Sequence, residues 1–299
     1  MPRSLYVGEN KVQEYLDIIK LKGISNRHLY EVNRYIRRYL TNVNNIINKS
    51  NTIAYFSRIK DSYSVSSYRK ESYQILKFLR YLKVPWTDEI KLPPEPNYYP
   101  KNISKDDIVC TLKYFKNCEH FPRFKALILL GADSGMRAEE LYQLKVEDIN
   151  LEDRIVHINH NPKNGQSTKT KKSRISFFTE YTKEVLIEYL GYFNHSRLKE
   201  LFPQKWIERK FKDAPIQVKD LRKFFSQEWD RRGGSTSIKK ILMGHSLKGD
   251  VDLMHYNYQS EEDLKKIYDR VMDSNVILDI GHSEQIDSKT SHCQCRYCI

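Results

Sequence analysis

The sequence predicts a mainly α protein with a small antiparallel β-sheet, divided into a smaller helical unit and a larger one that carries the sheet. Apolar residues recur at helical intervals toward both ends of the chain, and two β-branched runs stand close together in its middle. Four of the ten prolines crowd into KLPPEPNYYPKN, residues 91–102. That cluster marks the division.

Val12, Tyr15, Leu16 and Ile19 follow helical spacing, as do Leu29, Val32, Ile36 and Leu40. Val65, Tyr68, Ile75, Leu76, Leu79 and Leu82 continue the pattern with lysines and arginines between them, so residues 1–90 read as a small basic helical domain. Pro93, Pro94, Pro96 and Pro100 fix φ and remove backbone donors, so residues 91–103 read as a linker. Beyond it, Ser104 and Asp107 have capping-box spacing, and Pro122 suits the first turn of the helix carrying ALILLGADSG. RIVHIN (154–159) and SRISFF (173–178) are rich in β-branched and aromatic residues, joined by a polar segment containing Asn164 and Gly165. Helical spacing returns in EYTKEVLIEYL and in VKDLRKFFSQEWDRR, which stops at Gly233–Gly234. Ser260 and Asp263 open a further helix, SEEDLKKIYDRVMD. Residues 104–275 thus form one larger domain, and residues 276–299 read as a tail without a sustained period.

Lys and Arg number 51 against 38 Asp and Glu, a net charge of +13. Such an excess attracts polyanions, and nucleic acid is the commonest one. No apolar run approaches a membrane span, and the N-terminus turns polar too early for a secretory signal. The five cysteines are odd in number, with Cys110 and Cys118 far from the rest. A reducing, cytoplasmic setting fits them better than a disulfide framework. His292, Cys293, Cys295 and Cys298 could supply metal-binding atoms, but they crowd into seven residues without the paired halves of a structural zinc site. The expectation is a tail without metal.

Four separated segments carry the chemistry: SGMRAEEL with Arg137, STKTKKSRISF with Lys169, VKDLRKFF with Lys219 and Arg222, and MGHS with His245. A tyrosine segment, YNYQSEE, follows with Tyr256 and Tyr258. Taken singly, each has an ordinary structural explanation. In this order they resemble the catalytic domain of the tyrosine recombinases, or integrases, over roughly residues 104–275. The helical first domain is similar to that family's core-binding domain.

The resemblance implies that a tyrosine oxygen attacks a DNA phosphodiester. A covalent 3′-phosphotyrosine forms and a 5′-hydroxyl leaves, so the break is resealed without ATP. Arg137 and Arg222 would hydrogen-bond the charge that develops on the phosphate. Lys169 would protonate the leaving oxygen, and His245 would hydrogen-bond the phosphate. Glu140 would orient a basic neighbour. No cofactor or metal is implied, because these cations do what Mg²⁺ does at other phosphoryl-transfer sites.

The sequence departs from the family pattern twice. Lys219 stands where the family usually has histidine, a substitution resembling integrases of archaeal viruses and plasmids. As a cation it would stabilise the phosphate or lower the tyrosine pKa. The His245-to-tyrosine interval is longer than usual, and the usual count lands on Met254, which cannot attack phosphorus. Tyr256 is therefore the expected nucleophile, with Tyr258 as the alternative. The partners implied are double-stranded DNA attachment sites and three further copies of the chain, as a homotetramer on synapsed DNA. The helix SEEDLKKIYDRVMD and the tail are the expected contact between protomers. The function implied is site-specific recombination that integrates or excises a mobile genetic element. Its rivals are a host enzyme resolving chromosome dimers, a type IB topoisomerase-like relaxing enzyme, and a DNA-binding protein with a decayed site.

Overall fold

A computed structural model describes residues 4–192, 200–245 and 259–272. The chain forms two compact units, Met1–Pro100 and Lys101–Ile299.

In the first unit, β1 (Leu5–Tyr6) and β2 (Ile46–Ile47) pair antiparallel beside four helices: α1 (Glu9–Lys20), α2 (Asn26–Asn42), α3 (Lys49–Ser62) and α4 (Val65–Tyr81). Ser25, Asn48 and Ser64 cap α2, α3 and α4 by accepting the backbone N–H three residues on. The helices meet along Val32, Ile36, Tyr39, Phe56, Ile75 and Leu79. Val65 fits the spacing but is exposed, because it starts α4 before the packed stripe begins. Glu71 is buried in this core, where it accepts from the Arg38 guanidinium and from the Tyr55 hydroxyl at 2.5 Å. A buried carboxylate persists only with such partners. After a short 3₁₀ turn at Pro85–Glu89, residues 90–104 have no regular secondary structure, as their prolines require.

The second unit is built around α6 (Phe121–Ser134), which begins with Pro122 in its first turn and is buried along most of its length. A helix apolar on all sides belongs inside. It packs against α5 (Lys105–Phe115), α8 (Glu180–Tyr192) and α10 (Val218–Arg231). Ser104 and Asp107 form the capping box of α5. After α7 (Ala138–Tyr142), the strands β3 (Ile149–Asn150), β4 (Ile155–Ile158) and β5 (Arg174–Phe177) make one antiparallel sheet in that order, with Ile155 opposite Phe177 and Ile158 opposite Arg174. The sequence pattern does not reveal β3, because two residues are too few to display alternation. Among the described residues, three further helices belong to the unit: α9 (Gln204–Lys210), α11 (Thr236–Met243) and α12 (Glu261–Met272).

The last helix is tied into the larger unit. Ser260 and Asp263 start it, with the Asp263 N–H donating to Ser260 Oγ at 3.1 Å. The apolar face of α12 packs into the core of its own unit, while Glu261, Glu262, Asp263, Lys266 and Arg270 stay exposed. Leu264, Tyr268, Val271 and Met272 are buried with Phe177, Phe225, Trp229 and Leu242. The Tyr268 hydroxyl donates to the Asp133 carbonyl at 3.1 Å, and Arg154 pairs with Asp269 at 2.8 Å. Arg232 closes the helix by donating to the carbonyls of Val271 and Met272. Among the described residues, no helix is long and apolar enough to cross a membrane.

Candidate active site

Two glycines shape the site. Each follows a helix in the left-handed region, Gly135 after α6 at φ +61 and Gly244 after α11 at φ +62. A side chain at Gly135 would meet the Phe225 ring at 2.4 Å, and one at Gly244 would meet Arg174 Cδ at 2.7 Å. Neither position has room for more than hydrogen. The turn at Gly135 delivers Arg137 to the start of α7, and the turn at Gly244 delivers His245.

The end of α11 leaves carbonyls without helical partners, at the negative end of the helix dipole. Three consecutive carbonyls each receive a different arginine. Arg174 Nε donates to Leu242 O at 2.9 Å, Arg222 Nη2 to Met243 O at 2.8 Å, and Arg137 Nη2 to Gly244 O at 3.1 Å. Arg222 also donates to Gly135 O at 2.7 Å, so both glycine turns hold site arginines. One helix end thus brings together side chains from α7, β5 and α10.

Glu140 is the counter-charge, and it is buried. Arg174 addresses both its oxygens, at 3.0 and 2.7 Å, and Arg137 Nη1 reaches Oε1 at 2.8 Å. The Arg137 backbone N–H takes Oε2 at 2.8 Å. Burial pushes this carboxyl's pKa upward, but the bonds and charges of Arg174 and Arg137 outweigh it, and the net shift is downward. Glu140 is therefore ionised.

Among the described residues, three guanidiniums face one carboxylate, an excess of two positive charges. Arg222 registers the strain. Burial, then the charges of Arg137 and Arg174, push its pKa down to about 9, against the pull of Glu140. It remains protonated at neutral pH, in a position that an added anion would relieve. The His245 ring is exposed, yet desolvation on its inner side, followed by Arg222, Arg137, Lys239 and Arg174, lowers its pKa. It is a neutral imidazole at pH 7, with one N–H to donate.

The remaining expected residues are placed differently. Lys219 is exposed in the first turn of α10, three residues before Arg222 and so on the same helical face. Lys169 is exposed in a turn of the β4–β5 connection. Neither makes an ion pair with a described residue. Tyr256 and Tyr258 lie outside the described residues, as do His292, Cys293, Cys295 and Cys298. Among the described residues, no group of His, Cys, Asp and Glu could hold a metal ion.

Arg174 is the residue that sequence reasoning missed. SRISFF reads as a strand, and an arginine near its start passes for a solvated end. The available signal was alternation: Arg174 shares a face of β5 with Ser176, which is fully buried. An arginine on a buried face needs a carboxylate, and Glu140 is that partner.

The phage integrase family matches this chain over residues 101–249. The tyrosine recombinase XerA of Saccharolobus solfataricus is 29% identical over 211 residues, which span 68% of each chain. In fold, the chain is similar to a lambda integrase dimer bound to a COC′ core site, with a TM-score of 0.64 and 13% identity over 86% of this chain and 99% of that one. It is also similar to the Tn1549 transposon integrase in complex with circular intermediate DNA, with a TM-score of 0.62 and 14% identity over 87% of this chain and 99% of that one.

Proposed function

The chain belongs to the phage integrase family of tyrosine recombinases, and from that premise we propose that its arginine cluster is the phosphate-binding part of the active site, with Tyr256 as the nucleophile. It is a site-specific recombinase, an enzyme that cuts and rejoins DNA strands. The observation that carries the assignment is the set of three consecutive carbonyls at the end of α11, Leu242 to Gly244, holding three arginines around one carboxylate. This arrangement fixes positive charge in place before any ligand arrives, which is what stabilisation of a developing negative charge demands.

In the proposed reaction the Tyr256 oxygen forms a bond to phosphorus as the bond to the 5′ oxygen breaks. Arg137 and Arg222 donate to the non-bridging oxygens. Arg174 lies behind them, holding Glu140 and adding to the positive field. His245 offers its N–H to the phosphate. Lys169 passes a proton to the 5′ oxygen and recovers it on religation. Lys219, on the same face as Arg222, lowers the tyrosine pKa so that its proton passes readily to solvent. Tyr258 is the alternative nucleophile. The substrate is double-stranded DNA at attachment sites, in the cytoplasm, and four protomers assemble on two duplexes. The exposed face of α12 and the residues after Met272 are assigned the contact between protomers. Lys219 and the long His245–Tyr256 interval favour integration or excision of a mobile element over resolution of chromosome dimers.

The test uses a duplex in which one non-bridging oxygen at the scissile phosphate is replaced by methyl, removing its charge. Arg137→Ala is expected to lower cleavage of the ordinary duplex by about 10²–10³-fold. On the neutral duplex its penalty relative to wild type should largely vanish. Equal penalties on both duplexes would remove Arg137 from the phosphate.

A further inference from the structure

Lys169 stands on a fifteen-residue connection between β4 and β5, an exposed position ill-suited to accurate proton delivery unless something fixes it. The connection is held at several points. Asp148 accepts from Asn159 Nδ2 through one oxygen and from Gln166 Nε2 through the other, both at 2.7 Å, which ties together its early and middle parts. Gln166 and Thr168 are buried while Ser167 and Lys169 are exposed, so the strand-like alternation points the lysine outward from an anchored backbone.

The backbone N–H groups of the two residues before Lys169 are gripped by side chains. The Ser167 N–H donates to Gln143 Oε1 at 2.7 Å, and the Thr168 N–H donates to His160 Nδ1 at 3.1 Å. Beyond the lysine, Thr168 Oγ1 donates to Lys172 O at 2.9 Å and accepts from Lys172 N at 3.1 Å, closing a turn around residue 169. Gln143 is the C-cap residue of α7 and Arg137 its N-cap residue. A five-residue helix therefore links the loop carrying the lysine to the arginine cluster.

We propose that Gln143 and His160 are positioning residues that clamp the Ser167–Thr168 backbone and so aim Lys169 at the leaving 5′ oxygen. This rests on the reading of Lys169 as the proton donor. His160 acts through a lone pair on Nδ1, which places its ring proton on Nε2. Gln143 acts through its amide oxygen. Neither side chain need touch DNA for the clamp to work.

The experiment compares cleavage of two nicked duplexes that differ in one atom. One has the normal 5′ oxygen at the scissile bond, and the other has sulfur there. A thiolate departs without a proton, so a defect in proton delivery disappears on the sulfur duplex, while a defect in phosphate binding or folding persists. His160→Leu and Gln143→Ala are expected to slow the oxygen duplex by roughly tenfold to a hundredfold. On the sulfur duplex they should cleave at the wild-type rate. His160→Asn and Gln143→Glu, which restore an acceptor near the lost one, should recover most of the rate. Affinity for uncleavable duplex and the unfolding temperature should match wild type in all four variants. Equal slowing on both duplexes, or no slowing on either, would overturn the clamp. Lys169→Ala separates the two readings. If it is rescued by sulfur while His160→Leu is not, the clamp alone fails. If Lys169→Ala is as slow on sulfur as on oxygen, the Lys169 assignment falls and takes the clamp with it.

Discussion

Removing the Glu140 carboxylate would leave Arg174, with a side chain only 9% exposed, facing Arg137 and Arg222 with no negative charge among them. Breaking a buried pair by deleting one partner typically costs about 3–5 kcal/mol. Glu140→Ala should destabilise the larger unit by that amount in urea unfolding, and a loss below about 1 kcal/mol would show that the pair is not buried as described. The pH dependence has a definite sign. Glu140 has a lowered pKa in the folded state, so its contribution is full above the unfolded carboxyl value and is lost as pH falls through the folded one. His245 also has a lowered pKa, and it too favours folding at neutral pH over acid, because the unfolded chain binds its proton first. An anion among the arginines should raise that pKa. An NMR titration of the His245 ring, with and without inorganic phosphate, checks both points; a value at or above the free-histidine range without phosphate would contradict them. Arg137, Arg222 and His245 were legible in the sequence because each sits in a local pattern. Arg174 was not, because its meaning depends on Glu140, 34 positions away.

At the scale of elements, the end of α11 should be the least tolerant part of the site. Gly244→Ala would put a Cβ into Arg174 and force a left-handed backbone on alanine, a strain of about 1–3 kcal/mol. Cleavage should fall more than stability does, since the carbonyls of Leu242, Met243 and Gly244 orient all three arginines; a variant with wild-type cleavage would remove the helix end from the mechanism. Helix α12 makes the opposite kind of prediction. Ending the chain before Glu261 removes Tyr268 from a fully buried place, and the larger unit should lose its cooperative melt in circular dichroism. Ending it after Met272 should leave the melt intact. The helix itself was readable from its capping box and spacing. Its destination was not, because an amphipathic helix looks the same whether it covers its own core or a neighbour's.

Over the whole molecule, the net charge of +13 sets how DNA is held. Affinity should fall as a steep power of salt concentration, with a slope near −0.9 for each phosphate neutralised. Filter binding across a salt series checks this, and a nearly flat dependence would contradict a phosphate-dominated interface. The chain divides at Pro100, inside the proline cluster, and the apolar spacing of the first helices supplies residues of the first unit's core, such as Val12, Leu16, Val32, Ile36 and Leu79. Composition also pointed to a polyanion, but it could not say that the positive charge at the site is organised by one helix end. The central claim concerns chemistry at a tyrosine, and the most direct measurement is a denaturing gel. Wild type, Tyr256→Phe and Tyr258→Phe would each be incubated, in the presence of a chelator, with a labelled duplex carrying the attachment site and nicked to trap the intermediate. A covalent protein–DNA adduct that survives in wild type and Tyr258→Phe and vanishes in Tyr256→Phe is the expected result. Tight binding with no adduct from the wild type would contradict it.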